Sequence, residues 1–76
     1  MQHTVGEQIQ GLSVANTAKL NEIVAKLKAE TISKSESFRQ LKALGFTHYA
    51  ISKIASAAVG KLVRPQFVYN VLGPKG

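Results

Sequence analysis

Residues 33–60 read SKSESFRQLKALGFTHYAISKIASAAVG, two runs that each open on a hydroxyl residue and close on a glycine. The first begins with Ser33-x-x-Glu36, the pattern of a capping box. The helix it opens should run to about Leu44, with Phe38, Leu41 and Leu44 inward and Arg39, Gln40 and Lys42 outward. Gly45 supplies the left-handed stop, and Phe46 follows where a hydrophobic contact often closes such a stop. Thr47 is then the next N-cap. Ile51, Ile54, Ala55, Ala58 and Val59 fall at i, i+3, i+4, i+7 and i+8, a stripe of mostly small side chains. Alanines on a buried face let a second helix approach closely. Gly60 breaks the run. Two capped helices joined by a tight turn make the chain all-α.

Beyond Gly60, residues 61–64 read as a turn and Pro65 starts a short last helix. Proline suits the first helical position because its missing N–H would have had no partner there. Gly73-Pro74 ends the helix. Projected at about 100° per residue, Val68, Val71 and Leu72 share one side and should bury against Ile51, Ile54 and Ala58. Gln66 and Asn70 fall opposite, with Phe67 and Tyr69 on the flanks.

Toward the N-terminus, Leu20, Ile23, Val24 and Leu27 form the apolar stripe of a helix expected over Thr17 to Glu30, capped by Asn16 or Thr17. Glu22 and Lys26 make a favourable i,i+4 pair on its wet side. Thr31, Ile32 and Ser33 read as a connector. The first sixteen residues are weakly patterned. Thr4 with Glu7 fits a capping box and Val5, Ile9 and Leu12 fall at helical spacing, yet Gly6 and Gly11 weaken a helix. A short or frayed helix is expected there, and an arm that pairs with another subunit is the alternative. The organisation divides into residues 1–32, an arm and helix suited to dimerisation, and residues 33–76, a three-helix unit. No strand pattern, repeat or linker is evident.

A chain of 76 residues holds one small core, and 45% hydrophobic residues is normal for a folded one. The absence of cysteine excludes a disulfide framework, a zinc finger and a thiol nucleophile together. No apolar run approaches membrane-spanning length and no signal-peptide pattern is present, so a cytoplasmic protein is expected. The net charge of +6 is unevenly placed. All four acids (Glu7, Glu22, Glu30, Glu36) lie in the first half, balanced by Lys19, Lys26, Lys28 and Lys34. From Ser37 onward Arg39, Lys42, Lys53, Lys61, Arg64 and Lys75 meet no anion at all. A neutral half joined to a cationic half is the footprint of a chain that faces a polyanion.

Three helices closed by Gly45-Phe46-Thr47 and by the Gly60 turn match the layout of a helix-turn-helix, whose last helix enters the DNA major groove. Glutamine and asparagine can bond an adenine edge bidentately, so Gln66 and Asn70 are the candidate base readers. Arg64 could reach a guanine or a phosphate, and Tyr69 a phosphate or a thymine methyl. Thr47 and His48 at the start of the middle helix, with Lys53 and Lys61, are candidate contacts to the DNA backbone. Arg39 and Lys42 could add phosphate charge pairs as well; the plain alternative for each of these residues is a solvated polar side chain, and it weighs most on Arg39 and Lys42.

The run Ser33-Lys34-Ser35-Glu36-Ser37-Phe38-Arg39-Gln40-Leu41 through Gly45 resembles the first helix of small bacterial helix-turn-helix domains, roughly S-K-S-E-x-I-R-x-L-x-x-x-G. Val63-Arg64-Pro65-Gln66-Phe67-Val68-Tyr69-Asn70-Val71-Leu72 is similar to their last helix, commonly G-V-R-Y-Q-x-V-Y-N-V-L. The resemblance covers about residues 33–72 and implies a prokaryotic DNA-binding domain, with a three-helix core and an added N-terminal helix. Here the segment from Thr47 to Val63 is longer than its counterpart.

The leading expectation is a sequence-specific DNA-binding protein, a small homodimeric transcriptional regulator on double-stranded DNA in the cytoplasm and nucleoid. Leu20, Ile23, Val24 and Leu27 are the expected dimer surface; the alternative is that they pack on their own domain. An architectural or partition-type DNA binder with little sequence preference would use the same cations. An adaptor would use Phe67 and Tyr69 to bind an acidic protein. Catalysis, a metal and a cofactor are not expected: His3 and His48 lie far apart, no Cys or Asp completes a ligand set, and no glycine-rich phosphate loop or small-molecule substrate site is evident.

Overall fold

The computed structural model describes residues 5–73. Five helices follow one another: α1 Val5–Gln10, α2 Val14–Lys28, α3 Lys34–Ala43, α4 His48–Val59 and α5 Pro65–Leu72. No strand occurs among the described residues, and no helix there is long and apolar enough to cross a membrane. The expected Thr4 cap of α1 and the Pro74 stop lie outside the described residues.

Local hydrogen bonding sets most boundaries. Ser33 Oγ accepts the Glu36 N–H at 3.1 Å, and Thr47 Oγ1 accepts the Ala50 N–H at 3.2 Å, as the capping patterns require. Gly45 and Gly60 take positive φ (100° and 72°) and turn the chain out of α3 and α4. Pro65 stands at the head of α5.

The ends of α2 differ from expectation. Ser13 is its N-cap, its Oγ accepting the Asn16 N–H at 3.1 Å, while the Thr17 hydroxyl bonds back to the Ser13 carbonyl. The helix therefore starts before the apolar stripe does: Val14 is 90% exposed and carries no inward signal. At the other end the helix stops at Lys28. Glu30 adopts φ 58°, the Glu30 N–H donates to the Leu27 carbonyl and the Thr31 N–H to the Lys26 carbonyl. That is a Schellman closure with glutamate in the position glycine usually takes.

One hydrophobic cluster holds the helices together. Phe38, Leu41, Phe46, Ile51 and Val68 are its largest fully buried members, joined by Leu20, Ile23, Leu27, Ala50, Ile54, Ala55, Ala58 and Val63. Helix α4 is central and packs against α1, α2, α3 and α5. Its alanines are what allow so many neighbours. Buried Ser37 and Ser52 satisfy their hydroxyls inside their own helices, on the carbonyls of Lys34 and Tyr49 at 2.7 Å.

The stripe expected to form a dimer surface has another use. Leu20, Ile23 and Leu27 are buried in this core and Val24 is half-buried against it. A core this small needs the α2 stripe to cover α4 and α3, each buried aliphatic side chain contributing about 1.5–3 kcal/mol. Leu20, Ile23, Val24 and Leu27 therefore pack on their own chain, and packing is continuous across the boundary expected at residue 32. Val5, Ile9 and Leu12 are half-buried against the same cluster.

Candidate nucleic-acid interface

Helix α5 has a clean division of faces. Val68 is fully buried, with Val71 and Leu72 packed against the core, so the helix rests on α4 and α3. Gln66, Phe67, Tyr69 and Asn70 are exposed on the other side. The Gln66 Nε2 amide donates to Asn70 Oδ1 at 3.1 Å, tying the two expected readers to each other.

Two rings brace the flanks. Phe67 meets buried Phe38 of α3 edge-to-face, with centroids 5.5 Å apart and planes at 83°. Tyr69 lies against His48 of α4 at 4.4 Å. Both aromatic side chains remain partly open to solvent (40% and 42%), so each offers an edge outward while its other side is held.

His48 is not the surface residue the sequence suggests. It is 4% exposed, and its Nε2 lies 2.8 Å from the Gly73 carbonyl oxygen. An α-helix leaves its last carbonyls without intrahelical partners, and the imidazole satisfies one just past the end of α5. His48 therefore belongs to the packing between α4 and α5 and is not placed to touch a phosphate.

Thr47 is exposed, but its hydroxyl caps the Ala50 N–H and its own N–H donates to Gln8 Oε1 of α1 at 3.3 Å. Its side chain is thus occupied by the fold. Lys53 is exposed on α4, its ammonium 5.2 Å from the centre of the Tyr49 ring, a cation–π distance. Lys61 and Arg64 are both exposed in the turn before α5. Arg64 occupies the N-cap position without a side-chain cap bond, so its guanidinium is not consumed by the helix start. Arg39 stands 3.9 Å from Glu36 on α3.

One residue that sequence reasoning passed over holds the α4–α5 turn. Ser56 Oγ accepts the Val63 N–H at 2.8 Å, lies 3.2 Å from the Val63 carbonyl, and donates to the Ser52 carbonyl at 2.7 Å. Val63 is buried at the same point. This clasp closes the segment between α4 and α5 and sets where Arg64 and Pro65 begin. A serine one helical turn from Ser52 was the only signal in the sequence, and it is a weak one.

Arg64, Gln66, Tyr69 and Asn70 thus share one exposed helix and its N-cap, with Lys61 adjoining. Thr47, Tyr49 and Lys53 belong to the first turns of α4, joined through His48 to the far end of α5. From Ser37 to Gly73 no carboxylate side chain opposes these cations. Among the described residues no group of three His, Cys, Asp or Glu side chains could hold a metal ion. Comparison with protein-family models, curated proteins and solved structures finds no match for this chain.

Proposed function

We propose that this chain binds double-stranded DNA in a sequence-specific manner, with α3, α4 and α5 acting as a helix-turn-helix and α5 entering the major groove. The observation that carries the proposal is the outward face of α5. It presents two amide side chains, flanked by braced rings and preceded by two free cations, on the half of the chain that lacks acids. Amide side chains suit base edges, and an exposed arginine and lysine at the helix entrance suit phosphates. The tight Gly45–Thr47 turn and the packing of α5 across α4 fit the helix-turn-helix arrangement.

A single eight-residue helix covers few base pairs, and two copies on a two-fold site double its contacts. In this reading Leu20, Ile23 and Leu27 take no part in such pairing, because they lie in the core. A small regulator of transcription acting at the nucleoid is the role that follows.

Selection of bound sequences from a random duplex pool tests the proposal. Wild type should enrich a motif, and the Gln66→Ala plus Asn70→Ala variant should lose it while keeping its helical content. Retention of motif and affinity by that variant would remove α5 as the reading helix. Salt-sensitive binding with no enriched motif would favour an architectural binder.

A further inference from the structure

We infer that Gln66 and Asn70 work as one reading unit for a single adenine in the major groove, and not as two independent readers of two bases. The inference rests on the DNA-binding proposal above and specifies what its site recognises.

Residues four apart on a helix are separated by about 6 Å along the axis, and extended side chains at that spacing can address neighbouring base pairs, which rise about 3.4 Å. Here the side chains fold toward each other instead. Gln66 Nε2 and Asn70 Oδ1 are 3.1 Å apart, so the two amides converge on one point over the groove-facing surface. Their bond also fixes each amide in orientation, which an isolated exposed glutamine or asparagine lacks.

The donor and acceptor balance then selects the base. An amide–amide hydrogen bond engages one N–H and one oxygen. The other oxygen, on Gln66, and the other NH2, on Asn70, stay outside that bond on exposed side chains. If both amides are rotated by half a turn, the roles exchange and the set outside the bond is again one oxygen and one NH2. Adenine offers N7 as an acceptor and N6–H as a donor, and so satisfies both groups from a single base. Guanine alone offers two acceptors, so on a G·C pair the amide oxygen would have to reach across to the N4–H of the paired cytosine instead of finding its donor on the same base. Cytosine and thymine each supply only one of the two hydrogen-bonding partners.

The surroundings leave this pair few competitors. Between Pro65 and Leu72 the helix carries no charged residue, and the one other side-chain hydrogen-bonding group is the Tyr69 hydroxyl. Phe67 and Tyr69 are held by Phe38 and His48 on either side, so the amide pair sits between two fixed rings.

The test uses the full chain and the duplex most enriched by wild type from a random pool, with every position changed in turn to each other base pair. Wild type should prefer adenine at one position per copy by about 5- to 150-fold. Gln66→Ala and Asn70→Ala should each erase that same preference, and the double variant should be no worse than either single. Exchanging the residues, Gln66→Asn together with Asn70→Gln, rebuilds an amide pair and should restore much of the preference. Losses at two different positions, additive single effects, or a preference for guanine would each overturn the joint reading while leaving DNA binding intact. Binding without any base preference would do the same. Absence of DNA binding by wild type would overturn the DNA-binding proposal and this inference with it. Circular dichroism of each variant separates a reading defect from a folding one.

Discussion

The imidazole Nε2 of His48 and the carbonyl oxygen of Gly73 meet at 2.8 Å, joining the first turn of α4 to the end of α5 across 25 residues of sequence. Because the carbonyl can only accept, Nε2 must carry the proton of this bond. The contact satisfies a backbone oxygen beyond the last turn of α5 and lays the imidazole against Tyr69. Without it, α5 is anchored at its start by the Ser56 clasp and along its length by Val68, Val71, Leu72 and the Phe67–Phe38 ring contact.

His48→Ala is therefore expected to destabilise the fold by about 1–3 kcal/mol, the usual cost of removing one partner of a buried hydrogen bond. Urea denaturation measures the total. Amide exchange locates it: protection should fall first at Val71, Leu72 and Gly73 and remain high in α2. An unchanged exchange pattern in α5 would show that the bond does not hold the helix end.

Ser56 holds the opposite end of the same helix. Replacing it with alanine strands the Val63 N–H beside a buried valine, again at a cost of about 1–3 kcal/mol. Ser56→Thr keeps the hydroxyl and is expected to retain most of the stability, whereas Ser56→Val, similar in shape, is not. Equal stability of the threonine and valine variants would exclude the hydroxyl clasp.

These two contacts mark where the sequence stops being legible. Caps and stops act through neighbours three or four residues away, so Ser33, Gly45, Thr47, Gly60 and Pro65 could be read directly and lie where expected. The exposed face of α5 was readable for the same reason, since helical period alone separates Gln66 and Asn70 from Val68. His48, Ser56 and Phe67 find their partners through the tertiary fold, and nothing local distinguishes a histidine that will be buried from one that will not. The α2 stripe shows the same limit in another form. Periodicity reveals an apolar face at Leu20, Ile23 and Leu27, but only the fold shows that α4 covers it.

Glu30 offers a stabilising change. Its φ of 58° is the left-handed region, which costs a residue with a Cβ about 1–2 kcal/mol relative to the right-handed helix. Glycine takes that conformation freely, though it also makes the unfolded chain more flexible. Glu30→Gly should raise stability by up to about 1 kcal/mol, which corresponds to a melting-temperature increase of roughly 4–8 °C for a domain of this size. Glu30 is exposed and forms no ion pair among the described residues, so little opposes the gain. A lower melting temperature would mean that the side chain contributes more than its backbone strain costs.

The cations provide the sharpest separation between the DNA-binding reading and a merely basic surface. Arg64 and Lys61 are exposed at the entrance to α5 with no carboxylate partner among the described residues, whereas Arg39 stands 3.9 Å from Glu36. If α5 enters the groove, Arg64 and Lys61 lie beside the phosphate backbone and release counterions when DNA binds. Each contact adds about 0.9 to the slope of log affinity against log salt. Arg64→Ala and Lys61→Ala should therefore each reduce that slope by nearly one and weaken binding to all sequences alike, leaving the selected motif unchanged. Arg39→Ala, whose charge is already met on α3, should leave the slope nearly unaltered. Fluorescence anisotropy with one labelled duplex, repeated across a salt series, measures all three variants. Equal effects from Arg39 and Arg64 would indicate attraction by net charge alone, with no privileged role for the entrance to α5.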